Sequence, residues 1–431
     1  ISGGNVRLFH EVGVPDEATA AFAPTMALRV WAAAFDAPHG PVHLNFSFRE
    51  PLATPSVSAA PTPLRFHRGE VQLPPEDLAD LADRLSGRRV LIVAGGHQRP
   101  GFAAAAAMAA SEAGFPVIAD VQCRFPSPAT IVNGDLLATA GFFDVQPPEV
   151  IVRIGPVPTS RSIWSWMAGS GTEQVNIEDA AWRDPIGSIS ATYRADPAIT
   201  FADLAGRLAP SPDGWMSAWT AADRRVAKAV ARGLADEPFP NEPAIARSVW
   251  EAAPPGSTVY AGSSMPIRDL DTFSGRPRGD ITVLSNRGAN GINGVTSTAL
   301  GLALGGTTPF VLIGDLAFVH DSSALVTLAE RGADRVHRDH RLGAVRAVAE
   351  ERAHDEEPQR LEGGLLPRGP DVADDGADVH QASPPRARPS AARQETGAPG
   401  TSKSSTMPTT AWSTGTKLGS SVSAASRLAS Q

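Results

Sequence analysis

Cysteine is almost absent: Cys123 stands alone among 431 residues. One thiol cannot close an internal disulfide, so a reducing, cytoplasmic setting is expected. No apolar stretch reaches the roughly 20 residues of a membrane-crossing helix, and no integral membrane segment is expected. A large basic field is also missing. The formal net charge is −8 and the pI is near 5.7, which argues against nucleic acid as a partner. No Ser–His–Asp arrangement and no His/Cys cluster at zinc spacing can be argued from the chain. Chemistry is therefore expected from turns built around an anionic cofactor, with arginines nearby. No basic-then-apolar leader opens the sequence. It begins at Ile1, mid-pattern, with "ISGGNVRLFHEVGVP", and a fragment or processed product is expected. Ile, Phe and Tyr do not occur beyond Phe318.

What is present alternates between strands and helices. In 1–55, "TMALRVWAAAFDA" reads as a helix feeding a strand, "GPVHLNFSF". One such unit cannot cover both faces of a sheet, so it reads as the C-terminal remnant of a larger domain. A Pro/Ser/Ala-rich linker follows over 56–69. Over 70–210, "RRVLIVAGG", "FPVIAD", "PEVIVRIG" and "TEQVNIE" are strands, with helices at "GFAAAAAMAASEAG" and "TSRSIWSWMAG". Short loops between them predict a doubly wound parallel sheet. A third region, 217–328, contains "AWTAADRRVAKAVARGLAD", a helix capped by Asn241, and three strands: "STVYAGSS", "ITVLSNRG" and "PFVLIGD". Residues 329–431 are rich in Arg, Asp, Ala, Pro, Ser and Gly. They hold too little apolar surface to offset the ordering entropy, about 1–2 kcal/mol per residue, and a largely disordered tail is expected.

Ligands of open α/β sheets bind beyond the carboxyl ends of the strands, so three strand tips carry the functional reading. In "VYAGSSMPIRDLDTF" the small residues Gly262, Ser263 and Ser264 admit backbone amides to a ligand. Arg268 is a carboxylate clamp or one half of an Arg–Asp surface pair with Asp269. In "VLSNRGANGINGVTSTALG", glycines at 288, 291 and 294 lead into a helix start that favours an anion. Arg287 lies at the strand end, either aimed at that ligand or turned to water. In "PFVLIGDLAFVHDSS", Gly314 and Asp315 end a fully apolar strand. Asp315 is a Mg²⁺ ligand or a helix cap. Arg161, after the strand "PEVIVRIG", is an anion binder or an ordinary first-turn residue.

The motifs "GPVHLNFSFREPL", "PTSR", "GSSMPIRDLD", "SNRGANGINGVTSTALG" and "GDLAFVHDSSAL", in this order over 1–325, resemble the menaquinone-pathway 2-succinyl-5-enolpyruvyl-6-hydroxy-3-cyclohexene-1-carboxylate synthases. The resemblance implies three doubly wound α/β parallel-sheet domains of the thiamine-diphosphate enzyme type: pyrimidine-binding, central and diphosphate-binding. In this chain the first and third would be incomplete. It implies thiamine diphosphate and Mg²⁺ (or Mn²⁺) as cofactors and a homodimer or tetramer with the cofactor between subunits. The implied reaction decarboxylates 2-oxoglutarate on the thiazolium carbon and adds the resulting succinyl carbanion to isochorismate. By resemblance Arg268, Arg287 and Arg161 meet substrate carboxylates and Ser264 lies beside cofactor and intermediate. Ile292 props the thiamine in its bent form, Gly314 and Leu316 flank the cofactor, and Asp315 binds the metal.

The pattern also departs from the family. The Glu that activates the aminopyrimidine would precede residue 1. The Asn expected after Asp315 as a second metal ligand is missing from "RVHRDHRLGAV", and Asn293 stands where an Asp is expected. Translation in a wrong frame after about Leu325 would account for the tail. An impaired or inactive chain is the resulting expectation. The competing readings are another thiamine-diphosphate 2-oxoacid enzyme, such as an acetolactate synthase, and a non-catalytic product.

Overall fold

The computed structural model describes residues 5–37, 39–50, 65–96, 99–179, 183–287, 291–307 and 309–326. The expected tail, the Gly288 turn and most of the expected linker lie outside the described residues. Every described sheet is parallel. This is the α/β class that the alternating pattern predicts.

Strand β1 (Leu8–Gly13) pairs with β2 (Val42–Phe46), and helix α1 (Glu17–Phe35) connects them. Asp16 starts the helix by accepting from the Thr19 N–H at 2.8 Å. Strand β1 is an addition to the sequence reading. Its residues are half-buried at best, so "LFHEVG" shows no clean two-residue alternation.

The central sheet has the order β4-β3-β5-β6-β7. Its strands are β3 (Val90–Ala94), β4 (Val117–Ala119), β5 (Val150–Ile154), β6 (Glu173–Ile177) and β7 (Ala191–Tyr193). Alternate residues of a strand face opposite sides, and both sides are buried here. Val90, Ile92, Val150, Val152 and Val175 pack against helices α2 (Pro75–Leu85), α3 (Phe102–Ala113) and α7 (Pro197–Leu204). Leu91, Val93 and Ile151 face the other way. They meet α4 (Gly134–Thr139), α6 (Arg161–Gly169) and α8 (Trp215–Asp236). Helix α5 (Phe142–Val145) adds Phe143 to that second layer.

Helix α8 corrects the sequence division. Its pattern places it in the third region, 217–328, yet its apolar stripe covers the central sheet. Trp215, Trp219, Val226 and Val230 all join the second layer, and the Trp215 indole donates to the Val90 carbonyl at 2.9 Å. Asp223 on the same helix accepts from the Asn133 N–H at 2.8 Å.

The third sheet, β10-β8-β9, contains β8 (Thr258–Ala261), β9 (Thr282–Leu284) and β10 (Pro309–Leu312). Val259, Ala261 and Val283 face α9 (Glu242–Ala252) and α10 (Met265–Phe273). Tyr260, Leu284 and Val311 face α11 (Val295–Leu304) and α12 (Asp315–His320). Among the described residues no helix is long and apolar enough to cross a membrane.

Candidate functional site

Because β8, β9 and β10 run parallel, their carboxyl ends reach one edge of the sheet. Beyond that edge lies a cleft of 340 Å³. Strand β8 contributes Gly262, Ser263 and Ser264, and the chain then turns into α10. Strand β10 contributes Ile313, Gly314 and Asp315 and turns into α12. Gly291, Ile292 and Val295 enter from the start of α11. Gly262 holds two tips together, its N–H donating to the Leu312 carbonyl at 2.8 Å.

Besides the short α12, which starts from Gly314, two longer helices begin at this cleft without side-chain caps. Ser264, at the N-cap position of α10, makes no capping hydrogen bond. Gly294 caps α11 in the left-handed conformation, at φ 75°, and has no side chain to offer. The first N–H groups of a helix lack intrahelical acceptors, and the helix dipole is positive at that end. Two such ends opening on one cleft favour an anion.

Five of the sequence-predicted residues meet here: Ser264, Ile292, Gly314, Asp315 and Leu316 all line the cleft. Asp315 is the exposed first residue of α12, and its Oδ1 accepts from the Leu316 N–H at 2.7 Å. Ile292 and Leu316 are 40% and 74% exposed, so neither contributes to the core.

The three arginines stand elsewhere, and none of them lines the cleft. Arg287 is at the rim, where its Nη1 donates to the Ser263 carbonyl at 3.4 Å. Arg268 is exposed on α10. Arg161 is the exposed first residue of α6 on the central sheet. The expectation of guanidinium groups inside one cleft with Asp315 is corrected accordingly. Arg268 and Arg161 follow helix geometry outward, and Arg287 reaches a backbone carbonyl at the cleft's edge.

Carboxyl groups take the place of the arginines. Glu242 and Asp269 line the cleft with Asp315, and among the described residues no Lys, Arg or His does. The sequence pattern suggests Asp269 as a surface partner of Arg268. It is instead 5% exposed, on the cleft that Glu242 of α9 also lines. Burial, then the nearby Glu242 charge, pushes its carboxyl up to about 6, and Arg268 opposes the shift.

A second carboxyl group lies between the central and third sheets. Asp271 accepts from the Val121 N–H at 2.8 Å. Asp120 accepts from the Thr159 N–H at 2.8 Å. Asp135 accepts from the Ser160 and Thr272 hydroxyls. Burial, followed by the Asp120 charge, drives the Asp271 carboxyl well above the usual range. The Val121 N–H and the Arg287 guanidinium act in the other direction. Arg287 thus connects the cleft rim to this junction.

Uncapped helix starts and small-residue turns fit a diphosphate. Among the described residues no three His, Cys, Asp or Glu side chains gather to hold a metal alone. Asp315 supplies one anionic oxygen, which fits a Mg²⁺ that takes its other oxygens from phosphate and water.

No family model matches the chain. Among curated proteins, it is 33% identical over 353 residues to the 2-succinyl-5-enolpyruvyl-6-hydroxy-3-cyclohexene-1-carboxylate synthase of Geobacillus thermodenitrificans, covering 77% of this chain and 59% of that one. The synthase of the same name from Chloroflexus aurantiacus is 33% identical over 358 residues, covering 78% and 60%. That of Halobacterium salinarum is 37% identical over 329 residues, covering 68% and 55%. Over most of its own length the chain is similar to this synthase family. It spans about 60% of the length of the synthases it matches. A solved structure from Mycobacterium smegmatis, described as a candidate thiamin diphosphate-dependent enzyme, shares the fold. Its TM-score is 0.50 at 20% identity, over 76% of this chain and 63% of that one.

Proposed function

We propose that this chain forms the central and diphosphate-binding parts of a synthase that decarboxylates 2-oxoglutarate and joins the succinyl unit to isochorismate in menaquinone biosynthesis. The observation that carries the reading is the convergence of Ser264, Ile292, Gly314, Asp315 and Leu316 on one cleft at two uncapped helix starts. The three sheets support a division into a pyrimidine-side remnant, a central domain and a diphosphate-binding domain.

Thiamine diphosphate, when bound, supplies an acidic thiazolium carbon that can accept the electron pair released with carbon dioxide. The chain's own residues bind and orient. The first N–H groups of α10 and α11 would hold the diphosphate, and Asp315 would supply an oxygen to a Mg²⁺ or Mn²⁺ bound there. Ile292 and Leu316 present apolar surface that excludes water from the ring system. Arg287, at the rim, meets a substrate carboxylate as it enters. The complete reaction belongs to the full-length synthase, working as a cytoplasmic homo-oligomer.

Calorimetric titration of the chain with thiamine diphosphate and Mg²⁺ tests this reading. Binding that requires Mg²⁺ in the wild type, and that loses this requirement together with most of its affinity in Asp315→Ala, is expected. Absence of binding of both thiamine diphosphate and Mg²⁺-pyrophosphate to the wild type would refute it.

A further inference from the structure

The cleft is built for an anion at its helix ends, yet among the described residues its walls carry three carboxyl groups and no cationic side chain. Asp315 is offset by the metal proposed above. Glu242 is exposed at the start of α9, where water screens it. Asp269 has neither relief. It is 5% exposed, lines the cleft, and makes no hydrogen bond or ion pair with any described residue. A buried carboxyl without a partner is costly when ionised. It also repels any anion that shares its poorly screened space.

We propose that Asp269 sets the charge of the cleft wall, so that protonation of this one side chain strengthens the binding of a diphosphate or a similar small polyanion. The inference rests on the reading of the cleft as an anion site. It adds a regulation of that site which the motif resemblance does not contain.

The charged groups facing Asp269 are few. Glu242 of α9 disfavours its ionisation, and Arg268 of α10, one residue earlier, favours it. Asp315 of α12 stands along the same cleft. Burial and Glu242 together bring Asp269 to about 6. The side chain is mostly neutral at pH 5 and mostly charged at pH 8. Anion binding and proton uptake at Asp269 are linked: each favours the other.

The test measures the Kd of Mg²⁺-pyrophosphate by calorimetry from pH 5 to pH 8 for the wild type and Asp269→Asn. Ionisation of the ligand is common to both proteins, so the ratio of their Kd values isolates Asp269. The expected ratio is near one at pH 5 and rises to about tenfold weaker wild-type binding at pH 8. Glu242→Gln removes the charge facing Asp269. In that variant the pH midpoint of wild-type-like weakening shifts toward acid. Should Asp269→Asn fail to fold, this shift alone decides the matter. A ratio that stays flat across the range, or an unmoved midpoint in Glu242→Gln, overturns the proposal while leaving the anion site intact. No binding by any variant at any pH overturns the anion site itself.

Discussion

Arg153 lies inside the central sheet with its side chain only 3% exposed, and its neighbours decide whether that is tolerable. Nη1 reaches Asp184 at 3.0 Å, and Nη2 donates to the Arg183 carbonyl at 3.2 Å. Burial works against the ionised Asp184. The Ile189 and Ser188 N–H groups and Arg153 outweigh it, and the carboxyl is held below its ordinary value. Such a group adds stability above the unfolded pKa, and that stability is lost as pH falls through the folded value. Arg153→Met leaves Asp184 uncompensated, and a loss of about 3–5 kcal/mol is expected at pH 7. The loss shrinks in acid, at pH 3 for example, as the uncompensated Asp184 carboxyl takes up a proton. Urea titrations at the two pH values check this, and equal losses would contradict it. Asp269 has the opposite sign. Its carboxyl is raised to about 6, so its contribution is intact below pH 4 and lost as pH rises through 6. Asp269→Asn is therefore expected to raise the thermal midpoint at pH 8 by a few degrees and to leave it unchanged at pH 4. At this scale the sequence was half legible. Small residues and a carboxylate at strand tips mark Ser264, Gly314 and Asp315 directly. Asp269 is invisible there, because the cleft that it shares with Glu242 and Ile245 is assembled from residues some 25 positions apart.

Elements were legible wherever burial is one-sided or complete. "RRVLIVAGG" yields β3, whose residues are all buried, and "NEPAIARSVWEAAP" yields α9 with its cap. Asn241 accepts from the Ala244 N–H at 2.9 Å, so Asn241→Ala is expected to cost about 1 kcal/mol. Because α9 carries Glu242 and Ile245 to the cleft, this variant should also loosen pyrophosphate binding; unchanged urea midpoint and unchanged affinity together would contradict the cap's role. Strand β7 is three residues long and β1 is barely buried, so neither has room for a periodic signal. Helix α8 shows why boundaries fail. Its stripe of Trp215, Trp219, Ala222, Val226 and Val230 announces an amphipathic helix, but a stripe does not name the sheet it covers. Trp219 is fully buried against Phe142, Phe143 and Trp215. Trp219→Ala is expected to destabilise the central sheet by about 3–5 kcal/mol. Were α8 part of the third sheet instead, hydrogen exchange would quicken in β8–β10 and leave β3 and β5 protected.

For the whole molecule, the central and third sheets meet through a small, mostly polar junction rather than a shared apolar core. Val121, from the turn after β4, packs beside the third-sheet core and donates its N–H to Asp271. Arg124 reaches the Gly279 carbonyl and the Thr282 hydroxyl. Asp135 receives hydroxyls from both sides, Ser160 on the central sheet and Thr272 on α10. The cleft is built wholly on the third sheet, so its stiffness depends on this junction, and Asp271 is its strained member. Its carboxyl is raised well above the ordinary range, so its charged form opposes the docked arrangement, and the stability it contributes is lost as pH rises through the folded value. Asp271→Asn keeps an oxygen acceptor for the Val121 N–H and removes the repulsion from Asp120 and Asp135. Amide exchange at pH 7.5 should then slow across β8 and β9, by up to about tenfold for each pKa unit of relief, with β3 and β5 unchanged. Asp271→Ala removes charge and acceptor together, leaves the Val121 N–H unpaired, and should exchange faster than Asp271→Asn over the same strands. If the two variants exchanged alike, the junction would owe nothing to the Val121–Asp271 bond, and the coupling of the cleft to the central sheet would have to run through Arg124 and Asp135 alone.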